Sequence, residues 1–155
     1  MCRSLSQAPI AYIDIRFFNH ATEDPNKVIE AVHNVLPINY VDNITFTRRN
    51  LRGHFGNPIT LFEARIMDKK TIKAFVENLS AHLNASDKET LRKEIDKHVE
   101  KGSLYVRLDK QAALHGALKT CTADPIRVRL RFKKANIREI VKICQELNLL
   151  KHNEG

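Results

Sequence analysis

Residues 125 to 134 read PIRVRLRFKK. Side chains of an extended chain point alternately to its two faces, so Ile126, Val128, Leu130 and Phe132 line one face while Arg127, Arg129 and Arg131 stand in a row on the other. This alternation predicts the last strand of a sheet that is covered on one side and wet on the other.

The same period recurs outward along the chain. IAYIDIRFF at 10 to 18 sets Ile13, Ile15 and Phe17 against Tyr12, Asp14, Arg16 and Phe18, and SLYVRLD at 103 to 109 alternates likewise. NITFTRR at 43 to 49 and ITLFEARI at 59 to 66 are two further β-type runs joined by a Gly/Asn/Pro-containing connection, the pattern of a hairpin with a long loop.

Between these runs the period changes to that of a helix. In ATEDPNKVIEAVHNVLP, Asp24 can cap, Pro25 suits the first helical position, and Val28, Ile29, Val32 and Leu36 recur at helical spacing until Pro37 stops them. Asp68 begins a second helix through Ile72, Phe75, Val76, Leu79 and Leu83. Ser86 with Glu89 has the form of a capping box for a third, carrying Leu91, Ile95 and Val99 before Gly102. KQAALHGALK reads as a short helix broken at Gly116, and ANIREIVKICQELNLL as a terminal helix.

The predicted order is β-α-β-β-α-α-β-α-β-α. It implies a two-layer α+β fold with an antiparallel sheet of about five strands and helices mainly on one face. No repeat, low-complexity run or clear linker interrupts residues 1 to 155, so one domain is expected, and an apolar fraction of 43% suffices for its core.

Composition narrows the class of function. The apolar runs fall far short of the roughly 20 residues of a membrane helix. The N-terminal MCRSLSQAP lacks the apolar segment of a signal peptide, so a cytoplasmic protein is expected. Cys2, Cys121 and Cys144 are odd in number, far apart and without a nearby histidine at zinc spacing. They predict reduced thiols, with neither a disulfide framework nor a structural metal. The net charge of +8 is concentrated: residues 101 to 142 hold eleven Lys/Arg against three acids. A block of positive field attracts polyanions or acidic surfaces.

With the apolar side of every strand turned to the helices, the other side collects Tyr12, Arg16, Phe18, Thr45, Thr47, Arg65, Tyr105, Arg107, Arg127, Arg129 and Arg131. Guanidinium groups pair bidentately with phosphate oxygens, and aromatic rings stack under unpaired bases. Asp14, Glu63 and Asp109 are too few to neutralise so many arginines. A second basic element is RRNLRGHFGNP at 48 to 58, read as a loop carrying Arg48, Arg49, Arg52, His54 and Phe55, with Gly53 and Gly56 permitting close backbone approach to a ligand.

Catalysis has little support. There is no His-x-x-x-His, paired-carboxylate cluster, nucleophile elbow or glycine-rich phosphate loop, and no cofactor motif. His54, His115 and Cys121 are the candidates in flexible or turn-like positions.

The segments GHFGNPI, RLDKQAALHG and DPIRVRLRF, with the order of elements along nearly the whole chain, resemble a family of small archaeal proteins described as RNA-binding and as predicted exosome-associated subunits, with a fold similar to ribosomal protein L5. The resemblance implies an archaeal cytosolic RNA-binding role without catalysis, with Lys110, Gln111 and the arginine strand as the contact region. The residues and the resemblance together lead to two readings. The first is a non-enzymatic protein that holds structured or single-stranded RNA on the sheet and the basic hairpin, in RNA-processing, exosome-associated or ribosome-related complexes. Arg127, Arg129, Arg131, Lys133 and Lys134 would grip phosphates there, with Tyr105, Tyr12 and Phe18 offered to bases. The second is a protein-interaction module whose basic face docks an acidic partner in a processing complex.

Overall fold

The computed structural model describes residues 10–133 and 136–151; Cys2 and Lys134 lie outside them. Six strands form one sheet in the order β2-β3-β1-β6-β5-β4, one more than the five expected, and every neighbouring pair is antiparallel. They are β1 (Ile10–His20), β2 (Thr47–Arg52), β3 (Pro58–Ile66), β4 (Val99–Glu100), β5 (Ser103–Leu108) and β6 (Ile126–Phe132). The helices are α1 (Pro25–Val35), α2 (Lys69–His82), α3 (Ala85–Lys93), α4 (Ile95–His98), α5 (Lys110–Leu114) and α6 (Ile137–Glu146), with a 3₁₀ segment at Ile38–Asn43.

Alternation does what the sequence expects of it in β1 and β6. Ile13, Ile15, Val128, Leu130 and Phe132 are buried with Phe75, Val76, Leu79, Ile140 and Ile143 from the helical layer, while the arginines between them stay partly open. At roughly 25 cal/mol per Å², this apolar face is the main source of cohesion between sheet and helices. Strand β3 departs from the pattern. Leu61 pairs with Phe18 on one side and Arg49 on the other, on the arginine face, yet it is as buried as the core. Aliphatic stems and rings at these flanking positions can cover apolar surface while their polar ends stay wet.

Local signals place most helix ends. Asp24 accepts from the Asn26 N–H ahead of Pro25, and Asp68 accepts from both the N–H and the hydroxyl of Thr71. Those two bonds hold the Asp68 carboxyl below its ordinary range. Asn136 and Glu139 form a reciprocal capping box that starts α6. Helix α5 ends before Gly116, whose φ of 82° suits glycine.

Three expectations are corrected. The third helix is capped by Asn84, which accepts from the Asp87 N–H, so it starts ahead of the expected Ser86 box. Nor does it run on to Val99. The chain leaves helical geometry at Glu94, and Val99 pairs with Leu104 across a hairpin turned by Lys101 and Gly102, both at positive φ. Lys-Gly supplies the primed turn that a two-residue hairpin needs, and strand pairing there wins over helical spacing. Finally, the basic loop is mostly strand. Arg52 pairs with Pro58, so only Gly53–Asn57 connects β2 to β3. The glycines serve that turn: Gly56 has φ 82°, and a Cβ on Gly53 would lie 2.9 Å from Ile59.

Candidate nucleic-acid interface

Strand register arranges the open face into cross-strand rows. One row runs Thr47, Glu63, Arg16, Arg127, Arg107 from β2 to β5. The next runs Arg65, Asp14, Arg129, Tyr105, and Tyr12, Arg131 and Ser103 form the one after it. Arg16, Arg127 and Arg107 are thus direct neighbours on adjacent strands.

The two carboxylates of the face are already engaged. Asp14 receives Nε and Nη2 of Arg65 at 2.7 and 3.0 Å, and Nη1 of Arg129 lies 3.9 Å from it. This bond to Asp14 raises the affinity of Arg65 for its proton above the ordinary value. Glu63 lies 3.6 Å from Arg49. Arg129 also donates to the Ser103 hydroxyl at 2.9 Å, and Arg131 donates to the Lys101 carbonyl. Of the three arginines on β6, Arg127 has neither an acid nor a hydrogen-bond acceptor among the described residues. Burial depresses its proton affinity, and the neighbouring charge of Arg16 depresses it further. The Nε atoms of Arg16 and Arg127 are shut off from solvent without a partner.

Two tyrosines sit within the arginine array. Tyr105 has Arg127, Arg107 and Arg129 at 5.3, 5.6 and 5.9 Å from its ring centre. Tyr12 has Arg65 stacked over it at 4.0 Å, so one face of that ring is taken. Arg16 lies 5.6 Å from the Phe18 ring. Guanidinium planes held over rings are restricted in direction and themselves offer flat surfaces to bases.

The remaining expected site residues are dispersed. Arg49 shares the arginine face, but Arg48 and Arg52 point to the opposite side of β2. Arg48 packs 5.3 Å from the Phe62 ring, and Arg52 donates to the Gly56 carbonyl. Phe55 projects from the hairpin tip, 86% exposed and edge-on to His54, instead of folding onto the core. Lys133 follows the end of β6 and is exposed.

Lys110 is not displayed to a ligand. Its ammonium donates to the Phe18 carbonyl at 2.5 Å, to Asp124 at 2.8 Å and to Glu23 at 3.2 Å, and its side chain is 12% exposed. The sequence places it next to the arginine block, whereas helix α5 turns it inward. His20 joins the same cluster, 3.1 Å from Asp124. His20, Glu23 and Asp124 have ligating atoms within 4.8 Å of one another, at metal-like spacing, but Lys110 already supplies positive charge there. Arg16 is the residue that the sequence places on the face without marking it for the site. Only cross-strand register brings it beside Arg127.

A shallow depression of about 300 Å³ opens on this face, lined by Arg16, Arg127, Arg65, Thr45, Thr47 and Glu63 among others. No helix among the described residues is long and apolar enough to cross a membrane.

Fold and face together define a two-layer α+β protein with an open antiparallel sheet bearing arginines and tyrosines. The comparisons then identify its family. A family model described as "RNA binding" matches residues 12–132, and the chain belongs to that family. It is 37% identical over 139 residues to RNA-binding protein PAB1135 of Pyrococcus abyssi, covering 86% of this chain and 90% of that one. It is also 34% identical over 110 residues to the uncharacterized protein MJ0213 of Methanocaldococcus jannaschii, covering 69% and 73%. The crystal structure of protein AF2318 from Archaeglobus fulgidus superposes with a TM-score of 0.76 at 26% identity, covering 89% of this chain and 99% of that one.

Proposed function

We propose that this protein is a cytoplasmic, non-catalytic RNA-binding protein whose arginine face holds RNA, acting in RNA-processing, exosome-associated or ribosome-related complexes. The observation that carries the reading is the row Arg16, Arg127, Arg107, three neighbouring positive charges with only Glu63 beside them, on an open sheet in a chain of the RNA-binding family. Like charges directly opposite on adjacent strands destabilise a sheet, so retaining three in a row beside a single acid, Glu63, which Arg49 also approaches, favours an external anion as their partner. Successive arginines along β6 are about 6.6 Å apart, close to the step between neighbouring phosphates of a nucleic-acid backbone. Tyr105 and the guanidinium planes around it provide the stacking surface for bases.

A salt titration tests this. Each phosphate contact contributes about 0.7 to the slope of log K against log salt for a single strand. Changing Arg127, Arg129 and Arg131 together to Gln lowers the slope's magnitude by about 2, with little change in sequence preference, because phosphate contacts position without reading bases. An unchanged slope in the folded variant would mean that the arginines face an acidic protein or only one another.

A further inference from the structure

Cross-strand neighbours in a sheet are about 4.8 Å apart, shorter than the step between successive phosphates in a strand of RNA. Arginines along β6 can therefore each meet a different phosphate, but Arg16, Arg127 and Arg107, which lie across the strands, are too close for one phosphate apiece. The row is suited to a single anion carrying more than one charge.

The electrostatics lead to the same ligand. Glu63 and Asp14, which also line the depression, are matched by Arg49 and Arg65, so they do not offset the row. Arg16 and Arg127 each keep an Nε donor that no acceptor of the described residues satisfies, and a buried donor left unpaired is costly. Thr45 adds an exposed hydroxyl to the lining, whereas the Thr47 hydroxyl donates to the Glu63 carbonyl at 3.3 Å. An internal phosphodiester brings one negative charge and two free oxygens. A terminal phosphate monoester brings a charge of about −1.5 to −2 and three acceptor oxygens, closer to what the guanidinium groups of the row and the Thr45 hydroxyl can take.

We propose that Arg16 and Arg127 in the depression, with Thr45 in its lining and Arg107 beside Arg127 on the next strand, seat the terminal phosphate monoester of an RNA chain, so that the protein distinguishes phosphorylated ends from hydroxyl ends. From that seat the chain continues along β6 past Arg129 and Arg131. The inference rests on the RNA-binding reading above.

The test uses one single-stranded RNA of fixed sequence in three forms: 5′-phosphorylated, 3′-phosphorylated and hydroxyl at both ends. Binding to the full chain is followed by fluorescence anisotropy at constant salt and pH 7.5. One phosphorylated form binds about tenfold tighter than the hydroxyl form, and which one it is names the end recognised. The preference shrinks at pH 5, where a monoester with a second pKa of about 6 loses its extra charge. Arg16→Gln and Arg127→Gln bring the three forms to equal affinity, whatever each variant loses in the binding common to all three. Equal binding of all three forms by the wild type overturns the inference and leaves RNA binding standing, whereas failure of all three to bind removes the RNA reading itself. The comparison within the wild type needs no variant to fold, and circular dichroism of the two variants shows whether a lost preference reflects lost structure.

Discussion

Arg48 and Arg49 are adjacent and identical in side chain, yet the pleat of β2 sends them to opposite faces. Arg49 joins Glu63 on the arginine side, and Arg48 lies over Phe62. Arg49→Gln therefore lowers the salt slope of RNA binding by about 0.7, and Arg48→Gln leaves it unchanged, as parallel titrations of the two variants would show. Equal losses would mean that RNA wraps the edge strand. Lys110 makes the opposite case, of a cation that charge alone assigns to the ligand and whose bonds assign to the fold. Removing it leaves Glu23 and Asp124 facing one another without their shared cation. Lys110→Gln costs about 2 kcal/mol by thermal or urea unfolding, in the range for hydrogen bonds to charged groups, while RNA affinity of the folded variant changes little. A large loss of affinity with stability intact would return Lys110 to the interface.

Among the elements, α6 anchors the helical layer through Ile140, Ile143 and Cys144, all buried. Burial pushes the Cys144 thiol from its ordinary value of 9.0 up to about 12. The unfolded chain therefore releases this proton before the folded one does. Stability is full below about pH 9 and falls as pH rises from there toward 12. Between pH 8 and 10 the wild type loses about 1 kcal/mol that Cys144→Ala does not lose, measured as the difference between their urea midpoints at the two pH values. Identical pH profiles would place the thiol in contact with solvent. The hairpin β4-β5 is the element that helical periodicity hides. Val99 fits the spacing of Leu91 and Ile95, and only the pairing of Val99 with Leu104 around Lys101-Gly102 shows that it belongs to the sheet.

For the whole molecule, RNA incubated with the protein and Mg²⁺ or Zn²⁺ is bound and not cleaved, as gel analysis of end-labelled RNA would show, because the open face presents guanidinium groups and rings instead of a nucleophile with its base. Cleavage lost in His54→Ala or His115→Ala would make the protein an enzyme. The amino-acid sequence by itself determined which residues share a face within each strand and where most helices begin, since pleat, helical period and capping act over one to four residues. The buried face of β1 and β6, the caps at Asp24 and Asp68 and the arginine row along β6 are legible on those grounds. Tertiary structure alone decided which strand lies beside which, because register depends on partners far apart in the chain and a shift of one residue exchanges the faces. That is why Arg16 meets Arg127, and Arg127 meets Arg107, while Arg65 closes on Asp14 and Lys110 turns in toward Glu23 and Asp124. Charge says how many cations the chain carries; only packing separates those bound to their own acids from those left open to an anion.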